Sequence, residues 1–236
     1  MTTDTAHPLD NVIWSALTTQ HAALARGDAL ARRYPSAFTP FAALPKPLDP
    51  SVAGFQALAH GMAVDQVVAM FTPRDIAPTS DFEVVVRRDM VQMVQTKPVH
   101  STQRGDVELI SLGPDDAADM AALADRTKPG PFSTRTHELG HFFGVRVDGM
   151  LVAMAGERMR LDGWTEVSGV CTDDAFRGRG YARELVIAAA ENIVARGETP
   201  FLHAFEDNVS AIGLYKTLGF QVRTRLRLTT MRKVAA

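Results

Sequence analysis

Apolar residues alternate with polar ones, or gather in short β-branched runs, over residues 107–112, 142–147, 150–159, 164–171, 201–204, 220–222 and 225–230. Such runs predict strands. Between them, residues 113–124, 179–195 and 208–218 carry apolar side chains at three- and four-residue spacing, the mark of helices with one buried face. Gly113-Pro114-Asp115-Asp116 opens the first of these helices with acidic residues that complement the helix dipole. Gly197 and Gly219 stop the other two. Asp148-Gly149 is a pair that type I′ turns favour, so the runs on either side of it are expected to form a hairpin. The order β-α-β-β-β-α-β-α-β-β predicts an α+β class: a mixed, mostly antiparallel sheet flanked by helices.

The first part of the chain is less regular. Residues 12–31 read as one or two short helices interrupted at Gly27. Residues 34–50 hold Pro35, Pro40, Pro45, Pro47 and Pro50, which exclude a long helix. Residues 52–60 suit a short helix. Valine-rich residues 66–71 and 82–86 suit strands, and 91–95 either extends the second strand or starts another element. The stretch from Thr96 to Asp106 is polar, aperiodic and broken by Pro98 and Gly105, as a linker would be. The expected organisation is an N-terminal α/β lobe over residues 1–95, either a degenerate second copy of the C-terminal fold or a lobe that recognises an acceptor, a linker over 96–105 and a second domain over 106–236.

Composition narrows the function classes. The chain has 236 residues, 46% hydrophobic and 22% charged, with a net charge of -2. That balance gives no overall pull toward nucleic acid or an anionic membrane. Arg223, Arg225 and Arg227 alternate on one strand, which reads as a solvated face. No run of about 18 apolar residues exists, so no membrane span is expected. The first eight residues are polar and unlike a secretory leader, and the single cysteine, Cys171, suits a reducing compartment. A cytoplasmic protein, monomeric or homodimeric, is expected. Cys171 lies in an apolar run and reads as a buried thiol.

The strongest chemical signal is Arg177-Gly178-Arg179-Gly180-Tyr181-Ala182, where a predicted strand hands over to a predicted helix. Glycine lets the backbone approach a ligand closely. The first helical turn offers amide N–H groups without intrahelical partners, and the helix dipole favours an anion there. A phosphate or diphosphate fits such a place. A second motif lies about 30 residues on: Asn208-x-x-Ala211-x-x-Leu214-Tyr215-x-x-x-Gly219-Phe220.

Both motifs, in this order and with a hairpin before them, resemble the GNAT superfamily of acyl-CoA-dependent N-acetyltransferases. The resemblance covers residues 106–232. It departs where many relatives have a proline before the arginine and this chain has Asp173-Asp174-Ala175, carboxylates expected to face solvent. The resemblance implies acetyl-CoA as co-substrate, no metal, and transfer of the acetyl group to a primary amine of a small molecule or peptide by direct attack. It implies that the amides of Gly178, Arg179, Gly180, Tyr181 and Ala182, with Arg177, hold the diphosphate. Val170 and Thr172, on the preceding strand, would pair with the pantetheine arm, the Val170 N–H polarising the acyl carbonyl. Tyr215 would be the general acid for the departing sulfur. Asn208 would cap its helix, contact the cofactor, or do both.

The attacking amine must also lose a proton. A lysine-like amine, with pKa near 10.4, costs roughly 4–5 kcal/mol to free at neutral pH, and an α-amine near 8 only about 1 kcal/mol. Glu166 is the candidate base. It lies four residues before Val170 on the same strand, so the two side chains are expected to share a face; a surface glutamate paired with an arginine is the competing reading. Glu157 and Glu206 are weaker candidates, and water alone is another.

Two other readings compete. His137-Glu138-Leu139-Gly140-His141 matches the His-Glu-x-x-His pattern of zinc hydrolases, which requires a helix to aim both histidines at one metal. The position six residues after His141 is Val147, so the longer metzincin form is absent. The segment reads instead as the approach to a strand. A non-catalytic regulator that only binds acyl-CoA would share the glycine-bearing loop.

Overall fold

The computed structural model describes residues 7–100 and 107–235. Its described residues form two compact units, one of residues 7–36, 40–90 and 225–235, the other of residues 37–39, 91–100 and 107–224. The division differs from the one expected at 95 and 106. The chain passes between units inside one long strand after Met90, and the C-terminal strand returns to the first unit at Arg225. Part of the expected linker, 101–106, lies outside the described residues.

The first unit holds helix α1 (Val12–Thr18), the short strands β1 (Arg26–Gly27), β2 (Arg32–Arg33) and β3 (Ala42–Ala43), helix α2 (Val52–His60) and strand β4 (Val67–Thr72). Only α1 and a 3₁₀ turn at Ala22–Leu24 form where one or two helices were expected over 12–31, and β1 claims Arg26–Gly27. At the end of α1 the hydroxyls of Thr18 and Thr19 donate back to the Trp14 and Ser15 carbonyls, a bond that competes with helix continuation. Helix α2 has the predicted span. The Ser51 hydroxyl caps it by accepting from Gly54 N–H at 3.0 Å. Its buried face, Phe55, Leu58 and Ala59, packs with Leu44, Met70 and Phe82.

The second unit carries the recognised pattern. Strands β5 (Phe82–Gln95) and β11 (Phe220–Lys233) enter it from the first unit, and between them come β6 (Ile110–Leu112), helix α3 (Ala117–Thr127), β7 (Phe142–Val147), β8 (Met150–Leu161), β9 (Trp164–Thr172), helix α4 (Tyr181–Ala195), β10 (Thr199–Phe205) and helix α5 (Val209–Thr217). The strand order is β11-β5-β10-β9-β8-β7-β6. β9 and β10 are parallel, and β6-β7, β7-β8 and β8-β9 are antiparallel. This is the mixed, mostly antiparallel sheet flanked by helices. In the first unit β4 pairs antiparallel with β11 over Arg227–Arg232.

Two expected strands proved to be one. β11 runs unbroken because leucines 226 and 228 keep the period of two and its arginines find partners. Arg223 donates to Gln92, and Arg227 pairs with Asp75 and Asp89. The arginine-rich face is therefore engaged within the protein. β7 and β8 turn over Asp148 and Gly149, with φ of 49° and 79°, as the type I′ expectation required. Helix α4 buries Val186, Ala189 and Ile193 against Val167 of β9 and Leu202 of β10. Helix α3 buries Met120 and Leu123 against Met154 and Cys171.

Candidate active site

Strands β9 and β10 are paired only over Trp164–Glu166 and Thr199–Phe201. From Val167 and Leu202 onward no register pair joins them, so the backbone of Val167–Thr172 is open to another partner on this side. The opposite edge of β9 pairs with β8 and is irregular. Cys171 faces Met154 and Ser168 faces Gly156, so two residues, Gly169 and Val170, oppose Ala155. This is a β-bulge, with Gly169 at φ 64°, a conformation that favours glycine.

The bulge overturns one expectation. An extra residue reverses the alternation of side chains. Val170 packs with Val167, Val186 and Leu202 on the face covered by α4 and α5, whereas Glu166 points to the other face. Glu166 and Val170 do not share a face.

β9 ends in the glycine-bearing loop. The Asp173 carboxylate accepts from Ala175 N–H at 3.2 Å and from Arg126 Nε at 3.1 Å, fixing the turn. Asp173 is thus engaged, and the exposed Asp174 pairs with Arg177 at 2.7 Å. Arg179 lies over the Phe176 ring, 4.9 Å from its centroid. Gly178 and Gly180 have φ of 79° and 81°, and no heavy atom comes within 4 Å of where a Cβ would stand on either. Gly180 caps α4 with no side chain in the way. Among the described residues no protein acceptor takes the backbone N–H groups of Gly178 through Ala182; the first bond of the helix is Arg183 N–H to the Gly180 carbonyl, 3.0 Å. The Thr172 hydroxyl, at the end of β9, is buried with no hydrogen-bond partner. Open donors at a helix start, an orphaned hydroxyl and an unpaired strand side fit a diphosphate carrying an amide-bearing arm.

Helix α5 is capped by Asn208, whose side chain accepts from Ala211 N–H at 3.1 Å. The cap reading of Asn208 is therefore realised. Tyr215, one turn before the end of the helix, is 7% exposed and meets Phe220 edge-on, with ring centroids 6.2 Å apart. Burial, and then the neighbouring Cys171, push its phenol up to about 12. Tyr215 therefore keeps its proton through neutral pH, as an acid must. Burial likewise pushes the Cys171 thiol up to about 11 against weaker opposing bonds. A thiol so far from ionisation is a poor acyl-accepting nucleophile.

Glu166 is not placed as a base. It is fully buried and accepts from Arg158 Nε at 2.9 Å, from the terminal Arg158 nitrogen at 2.8 Å and from His203 Nδ1 at 2.8 Å. Burial alone raises a carboxyl pKa, but the Arg158 charge and these hydrogen bonds outweigh it and hold Glu166 at about 2. Such a group does not take a proton at neutral pH, and three donors already engage its two oxygens. Glu157 is also held, by Asn192 and Arg196 at 2.9 Å each. Residues Arg158, His203, Gln92 and Arg223 form the setting of Glu166, and local sequence offered no sign of them.

His137-Glu138-x-x-His141 does not form a zinc-binding helix. Residues Thr136–Leu139 make a single 3₁₀ turn, Gly140 is extended, and His141 leads into β7. Glu138 is taken by Arg135, at 2.7 and 2.6 Å. Among the described residues no three His, Cys, Asp or Glu side chains are grouped to hold a metal ion. Nor is any helix among them long and apolar enough to cross a membrane.

The family model of FR47-like proteins matches residues 143–228, from β7 through the loop and α5 into β11. The N-alpha-acetyltransferase RimI of Mycobacterium tuberculosis is 33% identical over 132 residues, 49% of this chain and 81% of that protein. The chain belongs to the GNAT family of acetyltransferases. A putative GNAT acetyltransferase of Novosphingobium aromaticivorans is 37% identical, covers 97% of the chain and all of its own, and superposes with a TM-score of 0.88. This likeness runs through the first unit as well. A GCN5-related N-acetyltransferase of Kribbella flavida, 17% identical, shares the fold over 96% of this chain and 97% of its own, with a TM-score of 0.61. This GNAT protein is therefore an acetyltransferase, and its opened β9–β10 pair leads into the glycine-bearing loop at the start of α4.

Proposed function

We propose that the protein transfers the acetyl group of acetyl-CoA directly to a primary amine of a peptide or small molecule, with an α-amine as the favoured acceptor. The observation that carries this reading is the end of β9–β10 pairing at Glu166 and Phe201, next to the backbone N–H groups of Gly178–Ala182, which no acceptor among the described residues takes. When bound, acetyl-CoA supplies the activated thioester. The amides of Gly178–Ala182 hold its diphosphate, with Arg177 and Arg179 adding positive charge at the rim. Thr172 and the free side of β9 bind the pantetheine arm. The Val170 N–H polarises the acyl carbonyl, and Tyr215 gives a proton to the leaving sulfur.

The acceptor class follows from the proton that must leave. Glu157 and Glu166 are both committed to arginines. Water suffices for an α-amine, which needs about 1 kcal/mol, far better than for a side-chain amine that needs roughly 4–5 kcal/mol. The relative named N-alpha-acetyltransferase agrees with this choice. A burial-raised Cys171 argues against an acetyl-enzyme intermediate. A reducing, cytoplasmic setting suits the same thiol.

The test follows free thiol release from acetyl-CoA with peptides bearing a free N-terminus, the same peptides N-terminally blocked with one internal lysine, and small amines. The expected result is turnover with free α-amines at least tenfold above the blocked peptides. Equal turnover with blocked peptides would remove the α-amine preference. Tight coenzyme A binding without thiol release for any amine in the panel would favour the regulator reading instead. In the same preparations acetyl-CoA at 100 times its Kd is expected to stabilise the fold by about 2.7 kcal/mol, read as a rise in Tm. An unchanged Tm at millimolar acetyl-CoA contradicts binding.

A further inference from the structure

On the sheet face away from α4 and α5, five strands are joined by one row of polar side chains. Arg223 of β11 donates to Gln92 Oε1 of β5 at 2.9 Å. Gln92 Nε2 lies 3.1 Å from His203 Nε2 of β10. His203 Nδ1 lies 2.8 Å from Glu166 of β9, which Arg158 of β8 engages from its other side. The row has one polarity. Because Arg223 occupies the Gln92 carbonyl, the amide NH₂ faces His203 Nε2, which therefore accepts. Nδ1 then carries the proton and donates to Glu166.

The place of the histidine in this row matters more than its bonds. Glu166 and Phe201 are the last backbone-paired residues of β9 and β10. His203 stands two residues farther along β10, beyond its last register pair with β9, and meets Phe201 edge-on at 5.7 Å. Its ring reaches back across the fork to Glu166. The His203 side chain is 2% exposed and Glu166 is fully buried. A ring bonded to β9 on one side and to β5 on the other is placed to set the angle at which β10 leaves β9. That angle decides whether the open side of Val167–Thr172 stays free for a ligand amide or closes onto β10.

We propose that His203 is a positioning residue that holds β10 away from β9 and so shapes the groove for the pantetheine arm. It touches neither the diphosphate loop nor the reacting atoms, and acts through Glu166 and Gln92. The inference rests on the acetyl-CoA reading given above, and one pair of ligands separates the two. Coenzyme A must enter the fork. Adenosine 3′-phosphate 5′-diphosphate, the same nucleotide end without the arm, needs only the loop.

The test is calorimetric titration of both ligands into the wild-type protein, His203→Leu and His203→Asn, each with its Tm. Leucine removes both hydrogen bonds, while the asparagine amide can still donate to Glu166. In His203→Leu the Kd for coenzyme A is expected to rise tenfold or more and that for the armless nucleotide to stay within twofold. His203→Asn is expected to restore coenzyme A binding to within threefold of wild type. Equal weakening of both ligands, or no weakening of either, overturns the positioning role. So does an asparagine variant as weak as leucine while its Tm matches wild type. Wild-type protein that binds neither ligand overturns the acetyl-CoA reading itself, and the positioning role with it.

Discussion

Replacing Tyr215 by phenylalanine is expected to lower kcat by about 10²- to 10³-fold and leave the Kd for coenzyme A within threefold. The ring is buried beside Phe220 and keeps its packing in the variant. Only the hydroxyl is lost, and with it the proton that the proposed mechanism gives to the leaving sulfur. The phenol is pushed up to about 12, so wild-type kcat should show no loss of this acid below pH 10. The checking measurement is steady-state kinetics over pH for both proteins, with calorimetry for coenzyme A. A variant that loses cofactor affinity and retains kcat would assign Tyr215 to binding and remove it from the chemistry.

The second large effect concerns stability. Glu166→Leu strands Arg158, whose side chain is 10% exposed, as a buried cation without its carboxylate. Removing one partner of such a pair costs about 3–5 kcal/mol. For a chain of this size that lowers Tm by roughly 10 °C. The double variant Arg158→Met, Glu166→Leu should recover most of the loss, because the charge and its desolvation go together. A single variant as stable as wild type would show that the pair is not strained by the loss. Acid tells the same story. The Glu166 pKa is depressed from 4.5 to about 2 on folding, so its contribution is present above about 4.5 and disappears as pH falls toward 2. Urea midpoints between pH 6 and 2.5 should fall more steeply for wild type than for Glu166→Gln. The same glutamine variant should retain the pH dependence of kcat/KM for the amine, since this carboxylate is not the base.

The contrast between these two residues shows what local sequence can carry. The turn at Gly178–Ala182 and the helix that carries Tyr215 were legible because both are set by neighbours a few residues away: a strand-to-helix turn, a helix, its glycine stop. The hairpin over Asp148-Gly149 and the span of α2 were legible for the same reason. The face of Glu166 relative to Val170 turns on one inserted residue at Gly169, and the only local sign of it is a single glycine inside a strand run. The partner of Glu166, His203, is 37 residues away, and the Gln92 that fixes the histidine is 111 residues from it. Such contacts exist only once strand order and register are set. The division of the chain was hidden likewise, because β11 returns to a unit begun at the other end of the sequence.

The most direct measurement is a crystal structure of the protein with coenzyme A. The diphosphate oxygens are expected within about 3.2 Å of the backbone nitrogens of Gly178–Ala182, with the pantetheine amides bonded to β9 beyond Glu166 and the sulfur beside the Tyr215 hydroxyl. Coenzyme A seated elsewhere, with β9 and β10 closed on each other past Phe201, would contradict the account.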